Sequence, residues 1–409
     1  MTTTKNNEHK KLNVPNLRFP EFQGEWKEER LADIAKFYKG TGISKDQLSD
    51  EGEPCILYGE LYTKYKSETI GKVISKTNID NTKLVKSKTN DVIIPCSGET
   101  AEDIATARCV LNDNILLGGD LNIIRLHGYD GTFMSYQLNG KRKYDIAKVA
   151  QGVSVVHLYG EHLKGVKTIN PCLEEQKKIA SLLVLLDERI STQNKIIDKL
   201  QSLIKGLNDT LYAQHGDEVM TSFAELGTSY SGLSGKSAQD FGSGKPFITY
   251  LNVYSNNVIN ENDFQYVAIK DGEKQNIVEY GDVLFTLSSE TPNEVGIGSV
   301  YLGKEKVYLN SFCFGIHITN TKVAFPPYLS YYVSSTAFRK FIYPYAQGST
   351  RFNLCKVDFK KASIKLPTIG HQKRIYSILS HLDCKMETEI QMLNLYNSQK
   401  QYLLRQMFI

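Results

Sequence analysis

The sequence predicts a mixed α/β (α+β) protein built twice over, each copy a globular half followed by one long helix. Three observations carry that prediction. The helical halves match one another at a fixed offset of 196 residues, their apolar residues fall at coiled-coil spacing, and the remaining chain alternates β-rich runs with turn residues.

The self-match runs without a gap. Ala150-Gln151-Gly152 matches Ala346-Gln347-Gly348, Leu158 matches Leu354, and Lys164 matches Lys360. Pro171, Gln176, Lys177 and Ile179 then match Pro367, Gln372, Lys373 and Ile375, and the register holds to Leu207 and Leu403. The front halves match more loosely. Gly40, Pro54 and Tyr58 correspond to Gly232, Pro246 and Tyr250 at an offset of 192. Asp91-Val92, Ser97 and Glu99-Thr100 correspond to Asp282-Val283, Ser288 and Glu290-Thr291 at 191. The drifting offset implies short loop insertions in one copy.

In the first helical half the apolar residues are Ile179, Leu183, Leu186, Ile190, Ile197, Leu200, Ile204, Leu207 and Leu211. That is the a/d seam of a coiled coil, broken at Gln193. The second seam is Ile375, Leu379, Leu382, Met386, Leu393, Tyr396, Leu403 and Met407, broken at Glu389 and Lys400. Pro171 and Pro367 stand just before each helix, where a proline is tolerated. A helix of about 40 residues is about 60 Å long. The expected organisation is a globular domain over 1–172, a spacer helix over 173–215, a second globular domain over 216–366 and a second spacer helix over 367–409. The first helix leaves the first domain and ends at the second, so paired seams must run antiparallel. The expectation is a pseudo-two-fold object, two similar domains at opposite ends of a stiff rod with the chain ends close together.

Within the globular halves, Asp91–Ile94, Leu121–Leu126, Asp282–Leu287 and Phe314–Ile318 are predicted strands bounded by Gly, Asn and Asp. Phe133–Leu138 and Tyr328–Val333 are predicted helical patches.

Composition narrows the function. A chain of 409 residues holds two or three domains. Its net charge is +4, with 49 basic against 45 acidic residues, which is no footprint of a strongly cationic nucleic-acid binder. Any DNA contact must then come from local charge or from partners. Seven scattered cysteines form no CxxC pair, as expected of reduced thiols rather than a disulfide frame or a zinc site. The opening Met1–Lys11 is polar and no run of 18 apolar residues occurs, so a cytoplasmic protein without a membrane span is expected.

No catalytic or metal site assembles from the motifs. Phe325-Pro326-Pro327-Tyr328 is like an amino-methyltransferase loop but has Phe where a polar residue must hold the target amine. Ser231-Gly232-Leu233-Ser234-Gly235-Lys236-Ser237 ends like a P-loop, yet Tyr230 stands where the first glycine is required. Glu175-Gln176-Lys177 has a nuclease-like spacing but falls at a helix start. His157 and His317 are expected to be packed or surface side chains. What remains is polar and repeated. In the first copy the candidate DNA contacts are Lys39, Thr41, Ser44, Lys45, Ser97, Thr100, Gln151, Ser154 and His157. In the second they are Ser231, Ser234, Lys236, Ser288, Thr291, Gln347, Ser349, Thr350, Arg351 and Asn353. Gln and Asn can bond adenine at two points, Arg can bond guanine, and hydroxyls reach phosphates.

Together with the opening Leu17-Arg18-Phe19-Pro20-Glu21-Phe22 and Gly24-Glu25-Trp26, the twin A-Q-G segments and twin helix starts resemble the specificity subunit of a type I restriction-modification enzyme. The resemblance covers essentially the whole chain, with His371 in place of Glu175 and Val153 in place of Ser349 as departures. It implies two target-recognition domains, each reading one half of a split, asymmetric site in double-stranded DNA. It implies helices that space those domains and dock two modification subunits, which would use S-adenosylmethionine to methylate adenine. Two restriction subunits using ATP and Mg would complete the complex, and this chain would bind no cofactor and catalyse nothing itself. The alternatives are a coiled-coil scaffold that does not read DNA, and the recognition subunit of a fused methylase-nuclease system.

Overall fold

The computed structural model describes residues 13–152, 155–213 and 218–409. The chain divides into two compact units, Met1–Asn194 with Gln391–Ile409, and Lys195–Ile390.

In the first unit, β3 (Asp91–Pro95) is buried along its whole length, which is why Val92-Ile93-Ile94 reads as a continuous apolar run rather than an alternating one. It lies between β4 (Arg108–Val110) and β5 (Leu121–Leu126), both antiparallel to it, and β2 (Ala35–Lys39) adds beyond β5. Thr69–Ile70 completes the sheet in parallel with β4. The helix α1 (Gly131–Asn139) starts on Asp130, whose carboxylate accepts the Phe133 amide at 2.8 Å. An antiparallel pair, β1 (Lys27–Arg30) with β6 (Lys167–Asn170), closes the globular part just before the long helix α2 (Leu173–Ala213).

The second unit repeats this plan. Its strands include β7 (Glu218–Thr221), β8 (Gly227–Ser231), β9 (Phe241–Ile248), β10 (Val283–Thr286), β11 (Gly298–Val300) and β12 (Cys313–Ile318). The main sheet has the order β8-β12-β10-β11, matching β2-β5-β3-β4, while β9 belongs to a smaller sheet. The helix α3 (Pro326–Tyr332) packs over it, and β13 (Ile364–Pro367), paired with β7, leads into α4 (Ile369–Gln406). Pro367 therefore ends a strand, and the helix begins two residues later than its position suggests.

Each sheet carries a carboxylate at the same place. Asp91, 1% exposed, receives a two-point pair from Arg125 at 2.7 and 2.8 Å, and the Arg125 guanidinium lies 4.8 Å from the Tyr38 ring centre. In the second unit Asp282 accepts from the Tyr230 hydroxyl at 2.6 Å and lies 2.9 Å from His317 Nδ1. Tyr230 and His317 stack at 4.2 Å. Position by position, Tyr38, Asp91 and Arg125 have become Tyr230, Asp282 and His317.

The two long helices each run through both units. In the first unit Ile179, Leu183 and Leu186 of α2 share one apolar cluster with Leu403, Met407 and Phe408 at the end of α4, with Tyr396 and Ile190 packed against it. In the second unit Ile204, Leu207 and Leu211 at the end of α2 pack with Ile375 and Leu379 at the start of α4. Ile197, Leu200 and Gln193 are buried, whereas Leu382, Met386 and Leu393 are half-buried. The break at Lys400 has a cause. Its ammonium sits 2.7 Å from Asp187 and 2.9 Å from Glu68 and lies over the Tyr136 ring, whose hydroxyl donates to Asp187 at 2.6 Å.

The opening motif straps this end of the first unit. The Leu17 amide donates to the Gln406 carbonyl at 3.0 Å, and Arg18 pairs with the fully buried Glu175 at 2.8 Å. Trp26 packs edge-on against Phe133. The nuclease-like Glu175 is thus held by an arginine. Tyr328 of the Phe-Pro-Pro-Tyr segment is 1% exposed in the core, at the start of a helix rather than in a substrate loop.

Arg125→Ala would leave the Asp91 carboxylate buried without its cation. We expect a loss of about 3–5 kcal/mol in the first unit, read as an earlier urea midpoint for hydrogen-exchange protection in β3 and β5 with the second unit unchanged.

Candidate nucleic-acid interface

The twin A-Q-G segments are hairpins. In the first unit the Gln151 and His157 backbones exchange hydrogen bonds at 2.9 and 2.7 Å, and the returning strand pairs Val156 with Gly98 and His157 with Ser97. In the second unit Gln347 pairs with Asn353, and Asn353 and Phe352 pair in turn with Ser288 and Ser289. The glycine of each motif is a steric requirement. Gly152 and Gly348 have φ of +130° and +138°, and a Cβ there would lie 2.0 and 2.1 Å from the carbonyl oxygens of Val155 and Arg351.

The loop on which each hairpin rests is anchored from the sheet. The Leu158 amide donates to Cys96 and the Leu354 amide to Leu287, both at 2.8 Å. A short helix then brings a tyrosine pair beside each loop. Tyr62 donates to the Ser97 carbonyl at 3.3 Å, and burial pushes its phenol pKa up. In the second unit Tyr250 donates to the Ser288 carbonyl at 2.8 Å and stacks with Tyr254. Glu294 ties this cluster together, accepting from Tyr254 at 2.8 Å, Thr291 at 2.9 Å and Ser289 at 3.1 Å. These bonds favour its charged form and lower its pKa. Its counterpart Asp103 is one methylene shorter and reaches Thr100, at 2.6 Å. The first unit keeps an open cleft of about 620 Å³ here, between Tyr58, Tyr62, Ser97, Glu99, Asp103 and Val155.

The structure therefore brings Ser97, Thr100, Gln151 and His157 together in one unit, and Ser288, Thr291, Gln347, Ser349, Thr350, Arg351 and Asn353 in the other. Ser288 is buried and contributes its backbone, while Gln347, Ser349, Thr350, Arg351 and Asn353 are exposed. Ser154 and Val153 lie outside the described residues. The other candidates make their contacts outside the hairpins. Lys39 lines a second cleft of about 550 Å³ with Lys36, Asn122, Tyr159 and Lys164. Thr41 accepts the Val85 amide at 3.2 Å, and Ser44 caps the turn Lys45–Gln47. The Ser234 amide and carbonyl both bond the Gln275 carboxamide, and the Ser231 carbonyl accepts from the Asn276 side chain. The Lys236 ammonium is spent on Glu273 and the Ala268 carbonyl, both at 2.6 Å, so it is not free to hold a phosphate. Tyr62 and Tyr254 were missed, although their equivalent positions four residues after Tyr58 and Tyr250 were a usable signal.

A family model described as the type I restriction modification DNA specificity domain matches residues 23–202 and 231–395. The type I restriction enzyme MjaVIII specificity subunit of Methanocaldococcus jannaschii is 26% identical over 236 residues, 56% of this chain and 52% of that protein. The match thus spans about half the length of the curated relative. Among solved structures, the S subunit of a type I restriction-modification system from M. genitalium has a TM-score of 0.61 at 16% identity, over 97% of this chain and 99% of that one. A chain from a study of complex assembly and conformational transition in the type I R-M system has a TM-score of 0.57 at 15% identity, over 93% and 96%. At these identities the structural likeness speaks for the fold.

Gly348→Ala would force the tip of the second hairpin out of register at a cost of about 1–3 kcal/mol. We expect amide exchange at Gln347 and Asn353 to rise about fivefold or more, with α4 protection retained. Unchanged exchange would mean that the hairpin does not need its glycine.

Proposed function

The chain belongs to the type I restriction-modification DNA specificity family, and we propose that it is the non-catalytic subunit through which such an enzyme reads a split, asymmetric site in double-stranded DNA. The observation that carries this is the pair of hairpin sites, equivalent in backbone and unlike in exposed side chains. Two equal readers would suit a palindrome, whereas Gln151 and His157 against Gln347, Arg351 and Asn353 suit two different half-sites.

Two modification subunits, supplying S-adenosylmethionine and the adenine methylation chemistry, are the partners proposed to dock along α2 and α4. Both helices leave apolar side chains in water, Leu185, Leu395 and Tyr402 in the first unit and Leu203 and Ile378 in the second. Exposed side chains of this size along one helix are a surface that a partner helix covers. Two restriction subunits, with ATP and Mg, complete the proposed complex. Shared phosphate contacts account for a net charge of only +4 in a DNA-reading chain. The proposed setting is the cytoplasm, where the host DNA is.

Co-expression with the neighbouring methylase gene, followed by single-molecule mapping of adenine methylation, tests the reading. A two-part motif that vanishes when this chain is deleted is the expected result, and a soluble, assembled complex that methylates nothing would count against it. Replacing residues 27–160 with those of another family member is expected to change one half-site and leave the other. A change in both would sink the one-unit, one-half-site reading.

A further inference from the structure

Arg351 occupies a distinctive place. It is the last residue of the tip in the second hairpin, three positions after the strained glycine, where the first hairpin has Val155. Both side chains are exposed. The guanidinium of Arg351 lies 6.0 Å from the ring centre of Phe312, itself 56% exposed. Stacking on an aromatic face restrains the long side chain before any ligand arrives, so less rotamer freedom remains to be lost on binding.

The fork of Arg351 is also unspent, since it makes no hydrogen bond or ion pair among the described residues. The second unit has two other arginines. Arg339 donates to the carbonyls of Gly296, Asn293 and Val295 inside the fold, and Arg374 belongs to α4. Arg351 is therefore the arginine that this unit presents on its reading loops.

We infer that Arg351 is a specificity-determining residue that reads a guanine in the half-site of the second unit. A two-stranded ribbon fits the major groove, and a planar guanidinium donates to guanine O6 and N7 together. Val155, at the equivalent place, has no donor, so the first half-site is read there by other means. Ser349 and Thr350, beside Arg351 on the tip, supply hydroxyls of the kind that hold phosphates and set register. The inference rests on the DNA-reading function proposed above.

The test uses the full chain in its complex with the methylation subunit, as wild type, Arg351→Gln and Arg351→Lys. The wild-type motif is expected to contain a guanine that Arg351→Gln relaxes at that one position, the other half-site staying intact. In binding assays with duplexes substituted at that base pair, the wild-type complex should lose about 5- to 150-fold in affinity, and the Arg351→Gln complex should lose nothing. An Arg351→Gln complex that still demands the same motif overturns the inference. So does a loss of affinity in Arg351→Gln that is equal for every base pair at that position and is restored by Arg351→Lys without base preference, because a uniform loss marks a phosphate contact. A wild-type complex that methylates nothing would be a failure of the proposed function instead.

Discussion

Gln176 and Gln372 stand in the first turn of α2 and α4 with their carboxamides out of water, so each must satisfy donors and acceptor on protein atoms alone. Gln176 donates to the Pro171 carbonyl and accepts the Asp130 amide, both at 2.9 Å. Gln372 donates to Pro367 and Val323 at 2.7 Å and accepts the Phe325 amide at 2.8 Å. Each thereby joins the strand that enters the long helix to the segment that enters the short core helix. A buried amide that lost either partner would cost about 1–3 kcal/mol. That constraint fixes the direction in which each long helix leaves its sheet, and everything further along the helix inherits it.

On top of this repeated frame the two units diverge in ways that physical chemistry makes intelligible. At the sheet carboxylate, one unit uses an arginine that stays charged at any ordinary pH, and the other a histidine stacked on tyrosine. Asp187 and its equivalent Asp383 each take a tyrosine bond, from Tyr136 and Tyr331, but Asp187 also holds an ammonium from α4, whereas burial raises the pKa of Asp383. Under the hairpins, Glu294 gathers three hydroxyls where Asp103 reaches one. The carboxylates stay in place while part of what satisfies them changes.

The fold was legible where the sequence has a period or a repeat. The heptads gave α2 and α4 nearly to their ends, because an a/d seam is a local signal. The strands β3, β5, β10 and β12 were legible as apolar runs. Among the strands that escaped are two pairs, β1 with β6 and β7 with β13, whose partners lie more than a hundred residues apart in sequence. The same holds for the site. The A-Q-G repeat pointed to the loops that pair as hairpins, but nothing in Lys236 or Ser288 announces that one would be spent on Glu273 and the other buried. Those outcomes depend on contacts made across the fold.

The hairpins have an evolutionary corollary. Their shape is held by backbone bonds, a glycine and the loop beneath, so exposed side chains such as Val155, Ser349, Thr350 and Arg351 carry little of the folding free energy. Substitutions at such positions usually change stability by no more than about 0.5 kcal/mol. Mutation can therefore explore new tips without passing through unfolded intermediates, and exchange of DNA between related genes can graft a whole unit at the repeated helix starts. A lineage built on this frame can acquire a new recognition sequence in few steps.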